Sequence, residues 1–172
     1  MPNRLEPLIR DIPDFPKPGI LFKDITPLLA DAGGLALAVE LMANPYRNSN
    51  VDLVVGAESR GFIFGTAIAQ ALNCGFIPVR KPGKLPYETK SMTYELEYGT
   101  DSLEIHADAL TSHHKVLLVD DLLATGGTMQ ACCQLVEHLG GDIVGVSLLI
   151  ELTDLKGREK LKPYQVESVL TY

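Results

Sequence analysis

No run of apolar residues in this sequence approaches the roughly 18 to 20 needed to span a bilayer, and its start, MPNRLEPLIRDIPDF, lacks the apolar stretch of a secretory signal. These absences lead to the expectation of a cytoplasmic protein without a membrane partner. A basic excess is missing as well. The formal charge is -7, which argues against a general affinity for nucleic acid, whose phosphates require a basic face. The three cysteines, Cys74, Cys132 and Cys133, are odd in number and lack metal-ligand spacing; the last two, adjacent on a helix, would point about 100° apart. They read as reduced packing residues. His106, His113, His114 and His138 form no H-x-x-x-H pair and read as surface positions. Neither repeats nor low-complexity tracts interrupt the chain.

What is present is ordinary for a globular chain: 172 residues, 46% hydrophobic and 22% charged, a length suited to one domain over residues 1–172. Strand-like runs at Val51 to Val55, Phe76 to Val79, Val116 to Val119, Ile143 to Ile150 and Val166 to Leu170 recur with helical patterns near Leu35 to Met42, Phe62 to Leu72 and Met129 to Leu139. That alternation predicts an α/β fold with a central parallel sheet. Val116-Leu117-Leu118-Val119, uncharged and β-branched at both ends, predicts a strand buried on both faces. Between Tyr94 and Ala107 the pattern changes. Tyr94, Leu96 and Tyr98 alternate with polar residues, Gly99-Thr100-Asp101-Ser102 reads as a turn, and Leu103 and Ile105 alternate again, which predicts an antiparallel hairpin.

The chemistry concentrates in VLLVDDLLATGGTMQACC, residues 116 to 133. A loop leading from a parallel strand into a helix presents unpaired NH groups and the positive end of the helix dipole, which suits a phosphate. Gly126 and Gly127 permit close approach of the backbone, and the Thr125 and Thr128 hydroxyls can donate to an anion. Asp120 and Asp121 would repel a phosphate they touched. They suit neutral hydroxyls, such as a vicinal sugar diol, or a divalent metal nearby. An isolated DD or GGT needs no more explanation than a strand end and a capped turn; the complete order after a buried strand favours a ligand site. The segment matches neither G-x-x-x-x-G-K-[ST] nor G-x-G-x-x-G, which weakens triphosphatase and dinucleotide readings.

Three other stretches stand out. VVGAESRGFIFG, residues 54 to 65, sets Arg60 against the dipole at a helix start. A bound polyanion gripped by the guanidinium fork accounts for that placement, and so does a surface pairing with Glu58. VRKPGKLPYETKSMTYELEYG, residues 79 to 99, crowds Arg80, Lys81 and Lys84 among prolines and glycine in a solvated loop that could close over an anionic substrate. DFPKPGILFKDITP, residues 14 to 27, is stiffened by Pro16 and Pro18 ahead of Ile20-Leu21-Phe22. Phe22 could stack on a flat ring while the backbone at Leu21 and Lys23 reads its edge, or the arm could simply pack its aliphatics on the body.

VLLVDDLLATGGT resembles the phosphoribosyl-diphosphate signature of the type I phosphoribosyltransferases. FPKPGILFKDITP, ESRGF, RKPGKLP, LEYG and LIELTDLKGREKL resemble that family's adenine-using branch. The resemblance implies the family's α/β fold, with an N-terminal purine lid over residues 1–30 and a flexible loop and hairpin over residues 80–107. It implies purine salvage: transfer of a phosphoribosyl group from phosphoribosyl diphosphate to adenine, giving AMP and diphosphate, by a magnesium-assisted homodimer. Asp120 and Asp121 would hold ribose hydroxyls, and Ala124, Thr125, Gly126, Gly127 and Thr128 the 5'-phosphate. Glu58, Ser59, Arg60, Arg80, Lys81 and Lys84 would form the diphosphate site, around a non-proline cis bond at Glu58-Ser59. Arg60 and Glu97 would be catalytic, Glu97 as acid/base beside the purine, and Leu21, Phe22, Lys23 and Leu152 would contact adenine. No protein ligand is assigned to Mg2+. Lys23 stands where some relatives have Arg, and Glu58 where some have Asp. Two alternatives differ in kind: a 6-oxo purine as the base, for which Lys156 is the nearby donor, and a non-enzymatic sensor, for which a nucleic-acid-binding element has no spare length.

Overall fold

The computed structural model describes residues 4–96 and 98–172. Nine strands and four α-helices are named in chain order: β1 (Arg10–Pro13), β2 (Leu21–Asp24), α1 (Thr26–Ala30), α2 (Ala32–Ala43), β3 (Leu53–Ala57), α3 (Gly61–Ala71), β4 (Gly75–Val79), β5 (Thr89–Glu95), β6 (Thr100–His106), β7 (Lys115–Leu123), α4 (Gly127–His138), β8 (Asp142–Glu151) and β9 (Val166–Thr171). Short 3-10 turns at Thr153–Leu155 and Gly157–Leu161 lie between β8 and β9.

The expected parallel sheet has five strands in the order β4-β3-β7-β8-β9. β7 lies at its centre, and Val116 to Val119 are fully buried. Because successive side chains of a strand point to opposite faces, this continuous apolar run feeds two cores. Leu117 and Val119 join Val54, Phe64, Ile68 and Leu149 on the face covered by α2 and α3. Val116 and Leu118 join Val55, Cys132, Leu135, Val146 and Leu148 on the α4 face. Cys132 and Cys133 are buried free thiols, raised by that burial. They pack.

The structure extends and corrects several sequence readings. α2 begins at Ala32 rather than Leu35 because Asp31 caps it, its carboxylate accepting from Gly34 N at 2.6 Å. The second hairpin starts at Thr89, before Tyr94, and pairs Glu95 with Thr100. Thr100, Asp101 and Ser102 therefore belong to the strand, not to the turn. At the reversal, Gly99 has φ +91 and its carbonyl accepts from Leu96 N. The proline-rich arm, read only as stiff, is an antiparallel hairpin with Ile12 opposite Phe22. Among the described residues no helix is long and apolar enough to cross a membrane.

Candidate active site

β3 and β7 end side by side at the carboxyl edge of the sheet, and the loops that follow them enclose a cavity of about 240 Å³. One wall is Glu58, Ser59 and Arg60, leading into α3; the other runs from Asp120 through Thr128 to Met129 and leads into α4. The Glu58-Ser59 bond is cis. Arg60 caps α3, but its guanidinium reaches across the cavity to Asp121, Nε to Oδ2 at 2.8 Å, not to Glu58. Asp120 turns back over the start of α3, where a Cβ on Gly61 would stand 2.9 Å from Asp120 Oδ1. Only a glycine lets the two loops approach that closely.

The phosphate-type loop is shaped by a similar contact. Gly126 caps α4 with φ +87, and a Cβ there would meet the Gly157 carbonyl oxygen at 2.5 Å. Behind the loop, Leu152 N donates to Leu123 O at 2.9 Å. In front of it, the Tyr94 hydroxyl stands 3.3 Å from Thr128 Oγ1 and 3.4 Å from Asp101 Oδ2. Thr125 is exposed at the loop's tip.

Charges in the site are mostly matched within the protein. Glu58 accepts from Lys81 N at 2.7 Å, Lys84 Nζ at 3.1 Å and Arg80 Nη2 at 3.2 Å. Burial pushes its carboxyl up, and those three donors outweigh burial and hold it below the usual range. Lys81 Nζ is paired with Asp101, whose carboxyl that contact lowers. Asp120 behaves oppositely: burial first, then the charge of Asp121, raises it well above the usual carboxylate range. Arg80 Nε is buried and has no hydrogen-bond partner among the described residues.

The N-terminal hairpin closes one side. Phe22 packs edge-on against Phe15, with ring centroids 5.1 Å apart, and its ring lies 5.1 Å from Arg60 Cζ. Lys23 is engaged through its side chain: Nζ contacts Asp11 Oδ1 at 2.6 Å and lies 3.9 Å from the centre of the Tyr172 ring. Leu21 is half exposed.

Against known proteins, residues 26–171 match the model of the phosphoribosyl transferase domain. The adenine phosphoribosyltransferase of Halothermothrix orenii is 60% identical over 96% of this chain and 98% of its own. This chain belongs to the adenine phosphoribosyltransferase family. Solved members of the family share its fold. The Thermoanaerobacter pseudethanolicus adenine phosphoribosyltransferase superposes with TM-score 0.95, 53% identity and 98% coverage of both chains. The Saccharomyces cerevisiae enzyme, complexed with an imino-altritol bisphosphate and adenine, superposes with TM-score 0.91, 40% identity and 96% coverage of both chains.

Within this member of the family, the fold brings together Glu58, Ser59, Arg60, Asp120, Asp121 and Ala124 to Thr128 around one cavity. Arg80, Lys81 and Lys84 stand beside it, all three bound to Glu58, Lys81 through its backbone NH. Phe22 reaches it through Arg60, and Leu152 supports its back wall. Lys156 is exposed in a left-handed turn. Glu97 lies outside the described residues. Sequence reasoning missed Tyr94 and Asp101 as partners of the loops, and missed Gly157. The strand period hides the first two among ordinary hairpin residues, and Gly157 shows only as an unexplained glycine after β8.

Proposed function

We propose that the protein transfers the 5-phosphoribosyl group from phosphoribosyl diphosphate to adenine, forming AMP and diphosphate in purine salvage. One observation carries this reading: at the end of a buried parallel strand, two carboxylates and a glycine-threonine loop at a helix start share one cavity with an arginine from the neighbouring strand's loop. In the reaction, backbone NH groups from Ala124 to Thr128 and the threonine hydroxyls hold the 5'-phosphate. Asp120 and Asp121 accept from the ribose hydroxyls. Ser59 and Arg60, with Arg80, Lys81 and Lys84, take the diphosphate, and Glu58 holds their cations at hand. As the bond to diphosphate breaks, the sugar carbon becomes cation-like and negative charge grows on the leaving group. Cations fixed in place stabilise that charge without reorganising. Leu21, Phe22, Lys23 and Leu152 enclose adenine, and Glu97 manages the imidazole proton as the new bond forms at N9.

Among the described residues no three of His, Cys, Asp and Glu cluster so as to hold a metal by themselves. The paired carboxylates Asp120 and Asp121 fit the other arrangement, in which magnesium takes one or two carboxylates together with substrate oxygens and water. When bound, the ion would neutralise charge on the diphosphate. We propose further that residues 1–172 act as one phosphoribosyltransferase domain, supported by the two apolar clusters packed on opposite faces of one sheet. A cytoplasmic homodimer is the form the family resemblance supports. The deciding assay offers adenine, hypoxanthine and guanine, each with phosphoribosyl diphosphate and magnesium, and resolves the products by mass. AMP formation from adenine alone is expected. Equal or faster turnover of a 6-oxo purine overturns the assignment of the base.

A further inference from the structure

Arg158 belongs to none of the roles above, yet it makes one of the densest polar contacts in the molecule. Its Nε and Nη2 donate to the two oxygens of Glu151 at 2.9 and 2.5 Å. Nη1 donates to Val166 O at 2.6 Å, and Nη2 also reaches Ser168 Oγ at 3.2 Å. The Ser168 hydroxyl in turn donates to Glu151 at 2.7 Å. Glu151 ends β8, while Val166 and Ser168 lie on β9, so one guanidinium ties an irregular segment to two strands of the rigid sheet.

The segment it ties is the one on which the phosphate loop leans. Gly157, immediately before Arg158, is buried against that loop: a Cβ on Gly157 would lie 2.4 Å from Ala124 O, and one on Gly126 would lie 2.5 Å from Gly157 O. Two backbones touch with no side chain between them, so displacement of one moves the other. Gly157 opens the second of the two short 3-10 turns, directly after Lys156 at φ +54. The flanking ties are Leu152 N to Leu123 O at 2.9 Å, Thr153 N and Oγ1 to Tyr172 O at 2.8 Å, Gln130 Nε2 to Lys160 O at 3.5 Å and the buried Leu161, none of them at Gly157 itself.

We infer that Arg158 is a positioning residue for the 5'-phosphate site, setting the Ala124–Gly126 backbone through Gly157 from an anchor on β8 and β9. The inference rests on the phosphoribosyl reading given above. The Arg158 side chain is 47% exposed but that of Glu151 only 7%, so Arg158→Gln strands a buried carboxylate and lowers stability by itself, while Arg158→Lys keeps the charge beside it. The forked geometry of Arg158 is therefore the informative feature. A site that must meet three phosphate oxygens needs its backbone donors held to within about 0.5 Å, and a fork on a carboxylate fixes direction where a single ammonium would not.

The test uses Arg158→Gln and Arg158→Lys in the full chain, with calorimetric binding of ribose 5-phosphate, separate KM values for both substrates and the thermal midpoint. Misplacing a binding group by about 1 Å costs up to roughly a hundredfold. Ribose 5-phosphate affinity is therefore expected to fall about tenfold to a hundredfold in both variants, with KM for phosphoribosyl diphosphate rising in parallel and KM for adenine little changed. Arg158→Lys keeps the charge and most of the midpoint but loses the fork, and it decides the matter if Arg158→Gln does not fold. A parent that fails to bind ribose 5-phosphate removes the phosphoribosyl reading and this inference with it. A parent that binds, beside an Arg158→Lys variant that binds equally well or loses both substrates in step with its midpoint, overturns the positioning role alone.

Discussion

Replacing Gly126 by alanine tests the contact that shapes the glycine-threonine loop before α4. The residue stands at φ +87, and the added Cβ would lie 2.5 Å from the Gly157 oxygen and 3.1 Å from its carbonyl carbon and Cα. A left-handed conformation costs an L-residue roughly 1 to 2 kcal/mol. Every atom that Cβ meets is backbone, so no side chain can swing aside, and forced overpacking typically adds about 1 to 3 kcal/mol. Gly126→Ala should therefore lose roughly 2 to 5 kcal/mol, a large share of the roughly 5 to 15 kcal/mol that holds a domain folded. Gly19→Ala is the matched control: its φ is +88, but nothing lies within 4 Å of the new Cβ. It should show only the backbone cost, about 1 to 2 kcal/mol. Urea unfolding of the three proteins, compared at equal slope, reads both values. If the two variants shift the midpoint equally, or if Gly126→Ala unfolds with the parent, the Gly157 contact does not constrain the loop.

Three further outcomes are expected. Asp120 holds its proton to higher pH in the folded chain than at its ordinary value of 3.8, so between those two values the native state binds more protons and stability falls as pH rises. Asp120→Asn should thus unfold later than the parent at pH 7 while binding phosphoribosyl diphosphate more weakly, and the stability gap should close as pH falls toward 4; a pH-independent gap counts against the assignment. Glu97→Gln should lower kcat by about 10² to 10⁴ with ribose 5-phosphate binding unchanged, and turnover at the parent rate would refute the acid/base role of Glu97. Phe22→Ala should raise KM for adenine by a stacking contribution of about 0.5 to 1.5 kcal/mol and leave KM for phosphoribosyl diphosphate near the parent value; equal losses for both substrates would show that the arm is not the purine lid.

The central sheet was legible because Val116 to Val119 leave no polar alternative: a run buried on both faces needs cover on both faces. The glycine-threonine loop at the start of α4 was legible for a related reason, since Gly126-Gly127 after a buried strand and before an apolar-periodic stretch marks a loop entering a helix. The N-terminal hairpin was not. β1 is largely exposed and β2 mostly half-buried, so no hydrophobic period marks them, and the prolines between them argued against regular structure. Thr100 to Ser102 misled in the same way, because polar residues on a half-solvated ribbon have the composition of a turn. Which carboxylate each cation chooses was also out of reach. Arg60 and Glu58 are two residues apart, yet Arg60 pairs with Asp121 and Glu58 with Arg80 and Lys84, choices made by strand order rather than by sequence distance. Gly157 and Arg158 carry no local periodicity, and their meaning depends on a loop some 30 positions earlier in the chain.

The pairing of Glu58 with Arg80 and Lys84, of Arg60 with Asp121 and of Lys81 with Asp101 has a consequence for how tightly a polyanion can be held. On the proposed site, an incoming diphosphate would meet these four cations already paired. Each of its oxygens must take a cation from a carboxylate that already satisfies it, so affinity follows the difference between two sets of ion pairs rather than the strength of one. Such an exchange releases few counterions, and binding should weaken with salt less steeply than four basic residues would suggest. It also works in the leaving direction. On the proposed site, departure of diphosphate would let the carboxylates re-pair with their cations, which limits the unbalanced positive charge that would hold the product back.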